Sequence, residues 1–425
     1  MQKKRICYLA DGSSTHTLKF CSYFKDRGYE VSVISLNGGK LEGVEIYDLH
    51  SNLVDAKNRN EFKKIGYLGH ISEVKRLVSK IKPDILHAQY ASSYGLIGST
   101  LGFHPYVISV WGTDIYDFPR RGIIHRKIIE HNFRKADRIF ANSRNMACEA
   151  NKYTDKQVDV TYFGVDLERF KRFNSTDIKD IHNKSTYSES MYKGSIDFIS
   201  TDIESDEVFT IGTIKSLEKK YGIEYLIRAF KLLKDKYSDD NLGDDKYKNY
   251  KLVDEKLNNE RCRNDKLVDA KKSTKRFKLK IGGSGSEFES LKALALELGL
   301  ESDVEFLGRI APENIAKTFN SFDVSVFPSL REGFGVASIE SQACEVPVIV
   351  TNVGGHQESL IYAETGFVVE PMNPEAIEKA LIKLIEDDKL RNSMGKKGRE
   401  FVLENFEIMD KFSEIEKIYD EILRE

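Results

Sequence analysis

The chain has 425 residues, of which 40% are hydrophobic, and its formal net charge at pH 7 is −2. This length exceeds what one ordinary core supports, so we expect two domains of roughly 200 residues each. The nearly balanced charge excludes a generally basic nucleic-acid binder, and we predict no nucleic-acid partner. The five cysteines are scattered and form no CxxC pair, a pattern typical of reduced thiols in the cytosol.

The N-terminal stretch MQKKRICYLADG is basic, but its apolar run is too short for a secretory signal. No stretch approaches the roughly 18 apolar residues that a membrane-spanning helix needs. We therefore predict a cytoplasmic protein. Peripheral contact with the inner face of a membrane is compatible with this sequence.

Strand-like and helix-like segments alternate along the first half of the chain. RICYLA reads as a buried strand, STHTLKFCSYFKDRG has apolar residues at helical spacing, and YEVSVIS reads as a second strand. The runs DILHAQ, PYVISV, RIFA and VDVTYF follow, each separated by helix-like sequence. This alternation predicts βα units around a parallel sheet.

The second half repeats the pattern with the strand-like runs VFTIGT, FKLKIGG, VEFLG, VSVFPS and PVIVT. We predict an N-terminal domain over residues 1–170 and a C-terminal domain over 208–406, with a final helix over 407–425 that packs back on the first domain. The segment 171–207 is predicted to be a linker, and the highly charged segment 238–276 a solvated insertion. The default ligand site is the cleft between the carboxyl edges of the two sheets.

Two strand-to-helix loops of the second half suit a phosphate group. In FTIGTIKSLEKKYG, Gly212 ends a strand and Lys215, Lys219 and Lys220 follow, so backbone N–H groups and positive charges would converge. An ordinary surface loop is the alternative for this segment. In KLKIGGSGSEFESL, Gly283 would let the backbone approach a ligand closely, or would simply form a tight turn.

The stretch FPSLREGFGVASIE places two carboxylates on either side of a glycine-containing turn. The turn leads into a helix whose first N–H groups, those of Gly335, Val336 and Ala337, would stabilise an anion. Glu332 precedes the turn, and Glu340 lies about one turn inside the helix, where it could accept hydrogen bonds from a ribose. Taken singly, each glutamate fits a structural role better than a functional one.

Together these segments resemble the family 4 retaining glycosyltransferases. EGFGVASIE is similar to the E-x7-E signature of that family, IGTIKSLEKKYG to its donor-phosphate segment and VEFLGRI to its nucleobase loop. The resemblance implies an α/β fold of the GT-B type, with two Rossmann-like doubly wound domains facing each other across a deep cleft. It implies Glu332 as the catalytic residue. The implied donor-binding residues are Lys215, Lys220, Gly283, Arg309, Phe334, Gly335, Val336 and Glu340.

The first half departs from the family where the acceptor would bind. Trp111 in SVWGTDIY stands where the family often has a histidine. In the second half, Thr213 stands in the place of the usual donor-loop arginine, so Lys215 would supply that charge. For the acceptor side of the cleft we name Gly12, His16, Trp111 and Asp114. A lone histidine at the start of a helix, such as His16, is more often a capping or packing residue.

The resemblance implies transfer of a sugar from a nucleotide-diphosphate donor to a sugar, lipid-linked or small-molecule acceptor, with retained configuration. It implies no cofactor and no metal ion, because lysines and helix N–H groups would stabilise the leaving diphosphate. A glycosidase, a nucleotide-sugar epimerase of the same architecture and a non-catalytic nucleotide-sugar-binding protein are the alternatives. The sequence leaves the nucleotide, the sugar, the acceptor, the linkage and the oligomeric state open.

Overall fold

The computed structural model describes residues 3–49, 66, 69–173, 208–238 and 275–424. Within these ranges the strands form two sheets of seven and six strands, and every strand pair is parallel. The strands of the first sheet are β1 Arg5–Leu9, β2 Glu30–Ser35, β3 Glu45–Asp48, β4 Ile85–Gln89, β5 Tyr106–Val110, β6 Arg138–Ala141 and β7 Val158–Val160. Those of the second sheet are β8 Val208–Ile214, β9 Arg276–Gly282, β10 Val304–Gly308, β11 Val324–Phe327, β12 Val348–Thr351 and β13 Gly366–Val369.

Helices follow most strands, as the alternating sequence pattern predicts. On the first sheet they are α1 Thr15–Asp26, α2 Ile71–Ile81, α3 Ser93–Thr100, α4 Thr113–Tyr116, α5 Ile123–Lys135 and α6 Arg144–Ala150. In the second half they are α7 Ile223–Lys236, α8 Phe288–Glu297, α9 Ile315–Asn320, α10 Val336–Ala343, α11 Pro374–Glu386, α12 Asp388–Asn405 and α13 Ile408–Ile422.

The strand order of each sheet reverses direction once. The first order is β3-β2-β1-β4-β5-β6-β7, and the second is β10-β9-β8-β11-β12-β13. Successive strand residues face opposite layers: Cys7 and Leu9 lie in one apolar cluster, while Ile6 and Tyr8 lie in the other. Both sheets are therefore doubly wound and covered on both faces, which confirms the predicted fold class.

The last helix, α13, packs against the first sheet although it follows the second. Its side chains Phe412, Ile415 and Tyr419 lie in one apolar cluster with strand residues of the first sheet, and burial of each stabilises the fold by about 1.5–3 kcal/mol. Within this layer the hydroxyl of Tyr419 lies 2.5 Å from Nδ1 of His87. The chain therefore crosses between the two halves a second time.

The two crossings run side by side. The N–H of Val165 donates to the carbonyl of Phe406 at 2.8 Å, and the N–H of Ile408 donates back to Val165 at 3.1 Å. A side chain at Gly164 would collide with the backbone of Ile408, so glycine permits the close approach. The two chain segments that link the halves therefore run beside each other and are joined by these backbone hydrogen bonds.

The predicted linker or insertion 171–207 and the predicted charged insertion 238–276 lie mostly outside the described residues, which omit 174–207 and 239–274. The domain boundaries and the role of these segments stay predictions. None of the described helices is both long enough and apolar enough to cross a bilayer. Within the same ranges Cys7, Cys21, Cys148 and Cys344 are free thiols.

Candidate active site

The site lies at the point where the strand order of the second sheet reverses. Strands β8 and β11 are neighbours there, and the helices that follow them lie on opposite faces, because α7 belongs to one apolar cluster and α10 to the other. Open α/β sheets bind ligands at such a crevice, outside the carboxyl ends of the strands. Lys215 directly follows β8, and Glu332 lies five residues beyond β11.

Backbone hydrogen bonds fasten the loops at this edge to one another. The N–H of Lys215 donates to Gly282 at 2.9 Å, and the N–H of Gly283 donates to Gly308 at 2.7 Å. The loop after β11 joins this arrangement, since the N–H of Leu330 donates to Lys220 at 2.8 Å. The loops therefore hold their side chains in a fixed mutual arrangement.

Gly283 occupies a position that other residues could not fill. Its φ is +138°, and a Cβ there would collide with the carbonyl oxygen of Lys215. Glycine therefore allows the β9 and β8 loops to touch, which supports the backbone beneath Lys215. The sequence left a close approach to a ligand and a tight turn open at Gly283; the structure contains a tight contact between two loops, and the ligand contact stays a prediction.

Lys215 and Glu332 form a buried ion pair. The distance from Nζ of Lys215 to Oε2 of Glu332 is 2.5 Å, and each side chain is 13% exposed. Nζ of Lys215 also lies 4.8 Å from the ring centroid of Tyr221, and Nζ of Lys220 lies 5.0 Å from the same ring. Two ammonium groups thus contact one aromatic ring, which is a favourable cation–π arrangement.

The ion pair keeps both partners charged in spite of their burial. Burial opposes ionisation of Glu332, but the charge of Lys215 and the hydrogen bond that it donates lower the pKa of Glu332 below 4.5. For Lys215 burial likewise favours the neutral form, yet Glu332 raises its pKa above 10.5. Near neutral pH the site therefore contains one carboxylate and one ammonium group, each stabilised by the other.

The turn after Glu332 leads into helix α10 as the sequence predicted. Gly335 is the N-cap with φ +103°, and Val336 is the first helical residue. In the described part of the chain the N–H groups of Gly335, Val336 and Ala337 have no acceptor. The side chain of Phe334 is buried with Tyr162 and other core residues, so the donor contact predicted there would have to come from its backbone.

Glu340 lies one turn into α10 and is only partly exposed. Burial raises its pKa above 4.5, against the charges of Lys19, Arg169 and Lys215, which lower it. Two of these cations, Lys19 and Arg169, belong to the first half of the chain. Glu340 therefore lies where the two halves approach each other.

The remaining predicted donor residues lie nearer the surface. Lys220 pairs with Glu218 at 3.2 Å, close to the ring of Tyr221. Arg309 is exposed just after β10, and it has no hydrogen-bond or ion-pair partner among the residues that the structure describes. Lys220 is thus placed beside Lys215, while Arg309 lies at the outer end of the same sheet edge.

The first half supplies an aromatic cluster close enough to Lys215 for its charge to act on His16. His16, near the start of α1, stacks on Phe163 with ring centroids 4.4 Å apart, and both rings meet Trp111 edge to face. Burial, together with the charges of Lys19 and Lys215, lowers the pKa of His16 to about 4, so this imidazole is neutral near pH 7. His16 and Trp111 therefore belong to one cluster at the cleft.

Two other predicted residues of the first half are structural. Asp114 is fully buried and accepts hydrogen bonds from the N–H groups of Ala91, Trp111 and Gly112 at 2.8–3.1 Å. Gly12 is buried, and a side chain there would collide with the carbonyl of Gly38. Asp114 was expected to face the cleft; the structure corrects this, because its carboxylate fixes the loop that carries Trp111.

Sequence reasoning missed two residues beside this site. Glu358 accepts hydrogen bonds from the N–H groups of Arg144 and Asn145, both at 2.8 Å, and from the hydroxyl of Tyr162 at 2.9 Å. His356 is buried against Gly335, and neither ring nitrogen has a partner in the described residues. The stretch GGHQE held the signal, a carboxylate and an imidazole directly after two glycines.

Contacts between the two halves occur directly at Glu332. The backbone of Gly333 faces the carbonyl of Trp111, where an added Cβ would lie 3.3 Å from the oxygen. Arg331 forms an ion pair with Asp117 of the first half. The cleft is therefore closed at one end by the same loop that carries the ion-paired glutamate.

The chain matches two protein-family models. Residues 5–143 match the family described as Glycosyl transferase 4-like, and residues 264–401 match Glycosyl transferases group 1. Among curated proteins, a capsular polysaccharide biosynthesis glycosyltransferase, CapM of Staphylococcus aureus, is 45% identical over 107 residues. That match covers 25% of this chain and 28% of the relative.

Solved structures are similar over nearly the whole chain. Sucrose-phosphate synthase from Thermosynechococcus elongatus has a TM-score of 0.75 at 17% identity and covers 99% of this chain and 100% of that one. Anabaena HepE in complex with UDP-glucose has a TM-score of 0.69 at 17% identity, covering 98% and 99%. The chain therefore resembles the family 4 glycosyltransferases in both of its halves, and its two facing Rossmann-like domains form the GT-B fold.

Proposed function

We propose that this protein is a retaining glycosyltransferase, which moves a sugar from a nucleotide-diphosphate donor to an acceptor hydroxyl. The observation that carries the proposal is the buried pair of Lys215 and Glu332, 2.5 Å apart at the switch point of the second sheet. Beside it lie a second ammonium group and the N-terminus of α10. Such a site offers positive charge to a diphosphate and a carboxylate to the attached sugar.

In the proposed reaction the bond from the anomeric carbon to the diphosphate breaks, and negative charge develops on the leaving phosphate oxygen. Lys215, Lys220 and the N–H groups at the start of α10 would stabilise that charge. Fixed donors of this kind lower the reaction barrier most in a site that excludes water. Glu332 would hold hydroxyls of the donor sugar or shield the positively charged ring. The acceptor hydroxyl would pass its proton to the leaving phosphate oxygen, and Glu340 would bind the ribose.

A protein of similar fold that was crystallised with a nucleotide sugar supports the proposed class of donor. Anabaena HepE, which has a similar fold, was crystallised with UDP and with UDP-glucose. For this chain we propose a nucleotide-diphosphate sugar as substrate and no bound cofactor or metal ion. The proposed acceptor is a sugar, a lipid-linked molecule or a small-molecule precursor of a glycoside. The proposed context is synthesis of a cell-surface polysaccharide, a glycolipid or a small glycoside. We place this reaction in the cytoplasm, with peripheral contact of the protein to the membrane.

A thermal-shift screen against UDP-, GDP- and ADP-sugars tests the donor. A ligand present at 100 times its Kd stabilises the folded protein by about 2.7 kcal/mol, so a true donor raises Tm, while unrelated nucleotides do not. If no nucleotide sugar shifts Tm, the donor-site interpretation is wrong.

The reaction itself separates the proposal from its alternatives. With the best donor and a panel of acceptors, a transferase releases the nucleoside diphosphate and forms a glycoside whose anomeric configuration, read by NMR, equals that of the donor. An epimerase converts the sugar without acceptor, a glycosidase hydrolyses glycosides without a nucleotide, and a non-catalytic binder leaves the donor intact. An inverted product would refute retention while leaving donor binding untouched.

A further inference from the structure

The rim of the first half carries an exposed apolar and basic projection, residues 118–127, which we call the tip. A short 3-10 helix, Phe118–Arg121, turns at Gly122 into α5. Ile123 and Ile124, the first two residues of α5, are 79% and 74% exposed, more than any other large hydrophobic side chain in the described ranges. Two adjacent isoleucines in water are an unfavourable arrangement unless something covers them.

The isoleucines do not belong to the core-forming face of α5. That face is made by Ile129 and Phe133, which are fully buried in the first sheet's apolar cluster. Ile123 and Ile124 lie more than one helical turn before Ile129, at the N-terminal end of α5. Packing of α5 therefore does not require them to be apolar.

Positive charge surrounds the two isoleucines. The tip contains four basic residues and no acidic one, and all four are exposed: Arg120, Arg121, Arg126 and Lys127. Nearby carboxylates neutralise this charge only partly, because each is shared between two cations. Glu130 pairs with Arg126 and Lys127, each at 2.8 Å.

The second carboxylate is shared in the same way. Glu149 pairs with Arg120 at 2.9 Å and with Lys152 at 2.6 Å. Arg120, Arg126, Lys127 and Lys152 are therefore four cations that share two carboxylates. Together with the apolar pair, this excess of positive charge matches the chemistry of an anionic lipid surface, which attracts Lys and Arg and accepts apolar side chains beneath its headgroups.

The tip also stands beside the cleft. Asp117, the residue directly before it, pairs with Arg331, which precedes the proposed catalytic Glu332. Trp111, on the same loop, faces the backbone of Gly333. A surface that holds the tip would therefore lie near the mouth of the proposed active site.

We propose that the tip docks the protein on an anionic membrane surface by inserting Ile123 and Ile124 among the headgroups, with the surrounding arginines and lysine on the lipid phosphates. Docking there brings the cleft to an acceptor held in the membrane, and this consequence, unlike the docking itself, rests on the proposed transferase function. A second copy of this chain is a poorer occupant, since a two-fold contact would place like charges against each other.

The experiment is co-sedimentation of the full chain with large vesicles of phosphatidylcholine alone or mixed with phosphatidylglycerol. We expect binding to the anionic vesicles that weakens at high salt, and little binding to the neutral ones. The double variant Ile123→Ser, Ile124→Ser should lose about tenfold or more of the partition coefficient. As both side chains are exposed, the fold and the donor-induced Tm shift should stay unchanged.

Matched variants control for apolar area and for charge. Leu296→Ser with Leu403→Ser removes two exposed leucines elsewhere and should bind vesicles as the wild type does. Arg126→Gln with Lys127→Gln should weaken anionic binding, whereas Lys396→Gln with Lys397→Gln, an exposed basic pair on α12, should not.

Three results would overturn the proposal. The first is that the wild-type protein does not co-sediment with anionic vesicles. The second is that the isoleucine variant binds them as the wild type does. The third is that neutral and anionic vesicles are bound equally. If light scattering instead shows a dimer that the isoleucine variant abolishes, the tip is a self-association surface. Failure of the transferase proposal would appear separately, as a missing donor-induced Tm shift in protein that still binds vesicles.

Discussion

Lys215 and Glu332 are 117 positions apart in the sequence, yet Nζ of one lies 2.5 Å from Oε2 of the other. The lysine proposed to bind the donor diphosphate is therefore already paired with the carboxylate proposed to face the donor sugar. A diphosphate that binds beside α10 would compete with Glu332 for Lys215. Donor binding and the charge of the catalytic carboxylate are coupled through this contact.

A double-mutant cycle tests the pair through stability. Lys215→Met leaves a buried carboxylate without its partner, and Glu332→Gln leaves a buried ammonium group, so each should destabilise the fold by about 3–5 kcal/mol. The double variant buries no unpaired charge and should regain most of that loss. Chemical denaturation of all four proteins measures the coupling; additive losses would mean that the two groups do not interact in solution.

The regular elements could be predicted because their signals are local. Runs such as RICYLA and VSVFPS became β1 and β11, since a strand buried on both faces needs a continuous apolar run. The start of α10 could also be predicted locally, because the glycines in REGFG indicate a turn directly before the helix. Helix α13 was expected to return to the first domain, and the structure packs Tyr419 there.

The site could be predicted only as a set of loops. Which side chains touch is decided by contacts between residues far apart in sequence, and no local pattern reports the Lys215–Glu332 pair. Asp114 was named for the acceptor side of the cleft, but its carboxylate accepts hydrogen bonds from three backbone N–H groups. Glu358 was overlooked because its partners, the N–H groups that start α6, are more than 200 positions away.

Lys220 and Lys219 are adjacent lysines with different surroundings, which makes them a matched test. Lys220 lies beside Tyr221 and Lys215, whereas Lys219 is exposed. Lys220→Ala should weaken binding of the nucleoside diphosphate by roughly ten- to a hundredfold, the worth of a charge-assisted hydrogen bond. Lys219→Ala should bind as the wild type does in isothermal titration; the reverse result would move the phosphate site along the loop.

Buried histidines predict loss of stability in mild acid. Burial lowers the pKa of His356 to about 4, from 6.5. The unfolded chain then binds more protons than the folded one between those values, so stability falls as the pH drops from 6.5 towards 4, by up to about 3 kcal/mol for this residue. Denaturation curves across this range should show the decline, and His356→Asn should reduce its slope. An unchanged slope would mean that His356 protonates equally in both states.

Metal independence is tested with a chelator. If Lys215, Lys220 and the N–H groups of α10 stabilise the leaving diphosphate, transfer in excess EDTA should proceed at the untreated rate within about twofold. Initial rates before and after dialysis against EDTA give the comparison, and each preparation is assayed again with added Mg²⁺. A large loss that Mg²⁺ restores would show that these groups are not sufficient.

The two glutamates should affect different kinetic parameters. Glu340 is expected near the ribose, which does not change during the reaction, so Glu340→Gln should raise the donor KM and change kcat little. Glu332 is expected near the sugar, where positive charge develops, so Glu332→Gln should lower kcat by more than it raises KM. Because Glu332→Gln also breaks the ion pair, steady-state rates are measured well below its Tm, and the donor-induced Tm shift verifies that the site is intact. Wild-type kcat in Glu332→Gln would make this carboxylate a structural partner of Lys215 and favour the non-catalytic binding protein.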